Sequence, residues 1–303
     1  MGENILVSAT NIQVRYGSKV ALKGLDLEMA EGEIVAILGP NGSGKTTFFR
    51  LCLGLLRQCD GHVEIMGGPP GSLTSLSKIG AAIEMPSLYG HLSALENMFV
   101  TSHLKAVQPD AKELNRLISE VGLSGAGKMP TSKYSMGMRQ RLALALALIG
   151  GPELLILDEP ANGLDPVGIR WFREWALEAN SNRKISILFS SHILNEVAQI
   201  AQKVVLLKEG KIKFVGPLEE LKGGTKHKIR IKTQDIPRTQ ELLQSRGYSL
   251  TIEKDMLLVD APPEHRREIF RFLVQEDIDL LECINLELSL EDHYMKIMGE
   301  DYD

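Results

Sequence analysis

Apolar residues recur along this chain in several rhythms. From Ile5 to Val14 and from Val20 to Met29 they alternate or cluster around Tyr16-Gly17-Ser18, which predicts two antiparallel strands about a turn. The unbroken run Ile34-Val35-Ala36-Ile37-Leu38, after Glu33, predicts a buried strand, and from Thr46 to Arg57 the spacing becomes helical. A strand over His62 to Met66 follows. The loop Gly67-Gly68-Pro69-Pro70-Gly71-Ser72 is too rich in Pro and Gly for regular structure. A short strand, Lys78 to Glu84, ends at Met85-Pro86. From there to Gly150 the spacing is mostly helical, with breaks at Pro109, Gly122 to Gly127 and Pro130. This predicts a helical insert of about residues 86–150 between two core strands. The run Leu154-Leu155-Ile156-Leu157 predicts a further buried strand. Helix Val167 to Asn180, strand Ile185 to Phe189, helix Ile193 to Ala201 and strand Val204 to Leu207 then alternate as in an α/β fold. A hairpin of Val205 to Lys208 and Lys211 to Val215 about Glu209-Gly210 closes this domain.

The pattern shifts at Leu221-Lys222-Gly223-Gly224-Thr225, a linker composition that divides the chain into residues 1–222 and 226–303. The second part reads as strand (His227 to Thr233), helix (Arg238 to Arg246), strand (Tyr248 to Glu253), strand (Met256 to Asp260), helix (Pro263 to Gln275) and strand (Leu280 to Glu287). That is the βαββαβ order of an α+β ferredoxin-like domain, followed by a helical tail from Leu290 to Met298. Its histidines, His227, His265 and His293, are scattered, so contact or regulation is expected of it rather than catalysis.

A chain of 303 residues, 44% apolar, accommodates one large and one small domain. The formal net charge of −5 and the lack of a Lys/Arg block argue against nucleic acid as a partner. The longest apolar stretch, Leu142 to Ile149, is far too short to cross a bilayer, and Met1-Gly2-Glu3-Asn4 does not open a signal sequence. An intracellular, cytoplasmic chain that spans no membrane is expected. The three cysteines, Cys52, Cys59 and Cys283, show no metal-like spacing, and an odd number suits a reducing compartment.

The chemistry concentrates between the first buried strand and the helix after it. In Gly39-Pro40-Asn41-Gly42-Ser43-Gly44-Lys45-Thr46-Thr47 the glycines permit backbone angles that turn successive N–H groups, together with a helix N-terminus, toward one anionic cavity. Lys45 can reach the β- and γ-phosphates, and the Thr46 hydroxyl can ligate the Mg²⁺ that bridges them; the expected ligands are ATP and Mg²⁺. Asp158, at the carboxyl end of the second buried strand, can hold the metal from the other side, directly or through water. Glu159 is expected on the opposite face of the strand end, where it can orient or deprotonate the attacking water. His192, in Ser190-Ser191-His192, can bond the γ-phosphate. Tyr16 either packs the turn or offers a flat face to the adenine ring. In Tyr134-Ser135-Met136-Gly137-Met138-Arg139-Gln140-Arg141, Ser135 is placed to cap a helix. Its hydroxyl, the Gly137 amide and the helix dipole form a second anion site. One nucleotide cannot readily face both Lys45 and Ser135 within a single subunit.

The phosphate loop, Ser135 to Gln140, the strand ending at Glu159, Asn162-Gly163-Leu164-Asp165 and His192 occur in an order and spacing that resemble the nucleotide-binding subunit of an ATP-binding-cassette transporter, over residues 3 to about 222. The resemblance implies a P-loop NTPase cassette with a mixed sheet core, an antiparallel β subdomain and a helical insert. It implies two cassettes paired head to tail, as a homodimer or with another cassette, each ATP held between one phosphate loop and the other copy's Ser135 helix. It places Asp165 across the dimer seam, makes Glu159 the catalytic carboxylate and His192 the switch histidine, and brings in separate transmembrane permease subunits. The membrane is then touched only through the permease, at its inner face. Two departures stand out. Met136 replaces a common Gly and Met138 the first Gln. Glu84, in Ile83-Glu84-Met85-Pro86, replaces a glutamine that touches Mg²⁺ in the family, keeping an oxygen ligand but adding charge. Glu84, the following Ser87-Leu88-Tyr89-Gly90-His91-Leu92 and the C-terminal Leu288-Ser289-Leu290-Glu291-Asp292 resemble the bacitracin-resistance and lantibiotic-immunity exporters, in the multidrug-exporter branch. Outward transport of a peptide, antibiotic or other amphipathic compound is the expectation. A soluble cassette ATPase that regulates a non-transport assembly is the competing one.

Overall fold

The computed structural model describes residues 4–84, 88–108, 110–221, 228–253, 255–286 and 290–299. The expected features at Met85-Pro86, Ser87, Pro109, Lys222 to Thr225, His227 and Glu287 to Ser289 lie outside these residues. The chain divides into two compact units, residues 1–218 and 219–303.

The first unit opens with β1 (Ile5–Tyr16) and β2 (Lys19–Ala30), which pair antiparallel; β4 (Asp60–Ile65) joins the far side of β1. Tyr16 closes β1, so the turn itself is only Gly17-Ser18. A six-stranded sheet forms the centre, in the order β5-β6-β7-β3-β8-β9. Its strands are β3 (Ile34–Leu38), β5 (Ile79–Ala82), β6 (Leu154–Leu157), β7 (Ser186–Ser191), β8 (Lys203–Lys208) and β9 (Lys211–Pro217). All neighbours are parallel except β9, which returns from β8 as the expected hairpin. Every residue of β3, β6 and β7 is buried, which explains why β3 and β6 read as continuous apolar runs. Phe48, Phe49, Leu51 and Cys52 of the helix after β3 pack with Ile12, Leu25 and Ile65 of the antiparallel sheet into one core. Burial pushes the Cys52 thiol far above its ordinary range, making it a small apolar side chain.

The helices are α1 (Lys45–Cys52), α2 (Leu73–Leu76), α3 (Ala94–Leu104), α4 (Ala111–Glu120), α5 (Met136–Ala147), α6 (Pro166–Arg183), α7 (Leu194–Val197) and α8 (Leu218–Leu221). Two boundaries differ from expectation for physical reasons. The α1 helix stops at Cys52 rather than Arg57: the Gly54 and Leu55 amides turn back to the Leu51 and Arg50 carbonyls, with Gly54 at φ +69°, a left-handed C-terminal cap. The helix expected over Ile193 to Ala201 is one turn, because the Gln199 and Ile200 amides bond the third preceding carbonyl instead of the fourth. In the insert, α3 begins with a reciprocal Ser93/Glu96 cap, and the buried Asn97 side chain binds both the N–H and the carbonyl of Tyr89. The α3, α4 and α5 helices account for the helical spacing, with 3₁₀ turns at Ser124–Ala126 and Thr131–Lys133 where Gly and Pro break it.

The second unit contains β10 (Lys228–Thr233), α9 (Ile236–Ser245), β11 (Ser249–Glu253), β12 (Met256–Asp260), α10 (Arg266–Gln275), β13 (Leu280–Leu286) and α11 (Leu290–Met298). The sheet order is β11-β12-β10-β13, wholly antiparallel, so the βαββαβ succession is present. Its core is built by Ile229 and Ile231 of β10, Leu257 and Val259 of β12, Leu243 of α9, and Ile269 and Leu273 of α10.

Candidate nucleotide site

Three neighbouring parallel strands, β3, β6 and β7, point their carboxyl ends at one place, and each continues into a chemically distinctive segment. After β3 come the phosphate loop and α1. Gly39 is needed for space rather than for angle: a Cβ there would lie 2.1 Å from the Leu207 carbonyl oxygen of β8. Gly44, by contrast, sits at φ +116° and caps α1, leaving the first-turn amides turned toward the cleft. Lys45 is 6% exposed; its Nζ donates to Gly39 O (2.7 Å) and Pro40 O (3.4 Å) and lies 3.2 Å from Glu159 Oε1. The ammonium is thus held at the mouth of its own loop.

After β6 come Asp158 and Glu159. Asp158 Oδ2 accepts from Thr46 Oγ1 at 2.6 Å, and its Oδ1 accepts from Ser190 Oγ. The Glu159 N–H donates to the same Ser190 oxygen at 2.8 Å. Glu159 does not stand on the opposite face from Asp158, as strict strand alternation suggested. β6 has already ended at Leu157, and a left-handed φ of 49° turns Glu159 back. Its carboxylate then meets Lys45 through Oε1 and His192 Nδ1 through Oε2, at 2.7 Å. Burial pushes the nearby Glu196 carboxyl up; His192 pulls it down, Glu159 adds to the rise, and a Ser191 hydrogen bond lowers it.

These groups bound a cleft of about 760 Å³ lined by Tyr16, Asn41 to Thr47, Asp158 and Glu159, with Lys19, Lys23 and Glu209 at its rim. The glycine after Glu209 braces it: the Gly210 N–H binds Ser43 O (2.9 Å), and Lys23 N–H binds Gly210 O (2.8 Å). Sequence reasoning missed Ser190 and this hairpin brace. Ser190 was findable from the β6–β7 register, in which Leu157 pairs with Phe189 and so sets residue 158 beside residue 190.

Other expected site residues lie elsewhere. Ser135 Oγ caps α5 by accepting from Met138 N (3.3 Å), which leaves its own hydrogen and the Gly137 amide free to donate, but neither residue lines the cleft. Asp165 Oδ1 caps α6 through Gly168 N at 2.8 Å. Glu84, at φ +61°, pairs with Arg50 of α1 rather than facing Thr46 and Asp158. The Tyr16 hydroxyl, and after it Glu84, raises the Arg50 guanidinium's pKa against the opposing effect of burial.

The site suits a nucleoside triphosphate. Ser43 Oγ is buried without a hydrogen-bond partner, an orphaned donor inside the loop. Thr46 and Asp158 together give two hard oxygens, the kind of partial ligand set Mg²⁺ takes when phosphates complete it.

A phosphate loop after β3, a histidine after its neighbour β7 and an acidic pair after β6, one strand further out, define an ATPase of the P-loop cassette class. The family model described as ABC transporter matches residues 22–162. An uncharacterized ABC transporter ATP-binding protein of Bacillus subtilis (strain 168) is 35% identical over 98% of this chain and 96% of its own length. A bacitracin transport ATP-binding protein of Bacillus licheniformis is 32% identical over 97% of each. A lantibiotic transport ATP-binding protein of Streptococcus pyogenes is 39% identical over 68% of this chain and 89% of that one. A solved ATP-binding subunit of an ABC transporter is 28% identical with TM-score 0.63, over 72% of this chain and 92% of that one. The chain belongs to the ATP-binding proteins of ABC transporters. Among the described residues, no helix is long and apolar enough to cross a membrane.

Proposed function

We infer that this protein hydrolyses Mg²⁺·ATP as one of two cassettes paired head to tail, and that the cycle drives a separate transmembrane permease exporting a peptide antibiotic or similar amphipathic compound. The supporting observation is the division of labour within one chain. Lys45, Thr46, Asp158 and Glu159 line one cleft and His192 is hydrogen-bonded to its Glu159, while the donors of Ser135 and Gly137 stand outside it. A second copy brings those donors to the γ-phosphate. Residues 1–222 act as the cassette and 226–303 as an accessory domain, and the protein sits at the cytoplasmic face of the membrane through its permease. The bacitracin and lantibiotic relatives support the cargo class.

In this reading the loop amides and Lys45 bind the phosphates, and Tyr16 offers its ring, 43% exposed, to the base. When bound, Mg²⁺ supplies charge neutralisation on the transferring phosphoryl group, with Thr46 and Asp158 as its protein ligands and Glu84 free to join them by leaving Arg50. Glu159 holds and accepts the proton of the attacking water, and His192, hydrogen-bonded to Glu159, contacts the γ-phosphate. Lys45 must release Glu159 for this, because a carboxylate engaged by an ammonium is a poor base.

The test is Glu159→Gln. Hydrolysis is expected to fall by roughly 10²–10⁴-fold while ATP drives a stable dimer, read by size-exclusion chromatography with light scattering. Undiminished turnover removes Glu159 from the mechanism. Crosslinking in membranes is expected to recover a multispanning partner; recovery of this chain only with non-membrane proteins favours the soluble regulatory reading instead.

A further inference from the structure

A second cavity, of about 280 Å³, lies between α6 and the segments that follow β6 and β7. It shares only Glu159 with the nucleotide cleft; Lys45, Thr46 and Asp158 do not line it. Its buried end is apolar. Phe172 of α6 and Phe189 of β7 meet there edge to face, with ring centroids 6.4 Å apart, and the buried Ile200 joins them. Its more exposed lining includes Arg170 and Arg173, one turn apart on α6. Arg173 donates to Gln199 Oε1, and among the described residues neither guanidinium is ion-paired. Two acids also face the cavity, but their charge is met or muted. Glu159 is engaged by Lys45 and His192, and burial pushes the Glu196 carboxyl up. The uncompensated charge at the mouth is therefore positive.

An apolar end with an unpaired cationic rim is the complement of a small amphipathic anion. We propose that this cavity binds a small aryl or alkyl carboxylate, its body against Phe172 and Phe189 and its head on Arg170 and Arg173, and that occupancy slows hydrolysis. Ligand pockets run to about 300–1,000 Å³, so this one, at the small end, admits a fused bicyclic ring or a short alkyl chain and excludes a nucleotide. The effect on hydrolysis rests on the roles given above to Glu159 and His192. Ser191 and Ile193 line the cavity on either side of His192, and Ser191 Oγ accepts the Ile193 N–H at 2.9 Å. An occupant wedged between α6 and this segment fixes His192 and Glu159 in the resting arrangement, in which Lys45 still engages the carboxylate. The phosphate grip of Lys45 and Thr46, outside the cavity, is left alone.

The experiment titrates naphthoate, and its uncharged analogue naphthamide, into the full-length protein by calorimetry. Naphthoate is expected to saturate a single site with a Kd on the order of 0.1 mM, and naphthamide to bind about tenfold more weakly. In the double variant Arg170→Gln/Arg173→Gln, naphthoate is expected to lose about tenfold or more in affinity while naphthamide loses nothing, because only the anion uses the guanidiniums. Ile169→Trp, which fills the cavity from α6, is expected to abolish binding of both; melting temperatures of all variants confirm that they fold. No saturable binding to wild type overturns the proposal, as does equal binding of the two probes or an unchanged naphthoate affinity in the double variant. At saturating naphthoate, kcat for ATP is expected to fall by about tenfold with KM unchanged. Binding without that fall overturns the regulatory half. The catalytic reading is tested apart from the site: undiminished hydrolysis in Glu159→Gln refutes that reading, whereas the calorimetric titration still reports on the cavity.

Discussion

Lys45 concentrates the electrostatics of the site in one atom. Its Nζ is bonded to two loop carbonyls and paired with Glu159, so the group proposed to grip the phosphates also restrains the carboxylate proposed to take the proton of the attacking water. Lys45→Ala is expected to weaken ATP binding by about 10- to 100-fold, the worth of a charge-assisted contact of roughly 1.5–3 kcal/mol, as measured by calorimetric titration. Wild-type affinity in that titration refutes the phosphate-loop assignment. Most of this chemistry was legible because Gly39 to Thr47 and Asp158-Glu159 are contiguous in the chain and carry their geometry locally. The side on which Glu159 falls was not legible. It depends on β6 ending one residue before Asp158 and on a left-handed φ at a non-glycine residue, which alternation does not encode.

Elements are fixed at their ends, and two ends here make testable demands. The left-handed cap of α1 also lies against another backbone: a Cβ on Gly54 would come within 2.4 Å of Gly71 Cα. Gly54→Ala is expected to cost about 2 kcal/mol or more from left-handed strain and crowding, lowering the melting temperature by several degrees. The insert is tied to the core at the end of α4. Glu120, 12% exposed, accepts from Trp175 Nε1 (2.9 Å) and pairs with Arg183 (2.8 Å), both on α6, and with Arg116 (3.0 Å). Burial pushes the Glu120 carboxyl up, but the hydrogen bonds from Arg183 and Trp175 and the charges of Arg183 and Arg116 outweigh it, so the carboxyl sits below its usual range. A carboxyl lowered by folding stabilises the folded state above its unfolded pKa of about 4.3, and that contribution is lost as the pH falls through the folded value. Glu120→Gln is therefore expected to lose about 1.5–3 kcal/mol in urea denaturation at pH 7, with the gap to wild type closing in acid. A gap that persists unchanged at pH 3 shows that packing, not charge, sets it.

At the scale of the molecule, the chain is two compact units, each with its own core. Among the described residues of the second unit, no group of His, Cys, Asp and Glu side chains could hold a metal ion. Truncation after Gly224 is expected to leave ATP affinity within about twofold while altering dimerisation or coupling to the permease. The readouts are calorimetric titration and recovery of the membrane partner. A truncated protein that pairs and transports normally removes the accessory domain from both roles.

Residue order alone carried the alternation of strands and helices, the phosphate loop and the acid pair, because periodicity and contiguous motifs are local properties of the chain. The fold alone decided that β6 pairs with β7, which sets Ser190 beside Asp158 and His192 against Glu159 across 33 residues of sequence. It also decided that Gly39 is a glycine for lack of room beside β8, and that Glu84 pairs with Arg50. Such facts depend on which distant segments come to be neighbours, and burial of the whole core, not any short stretch, chooses those neighbours.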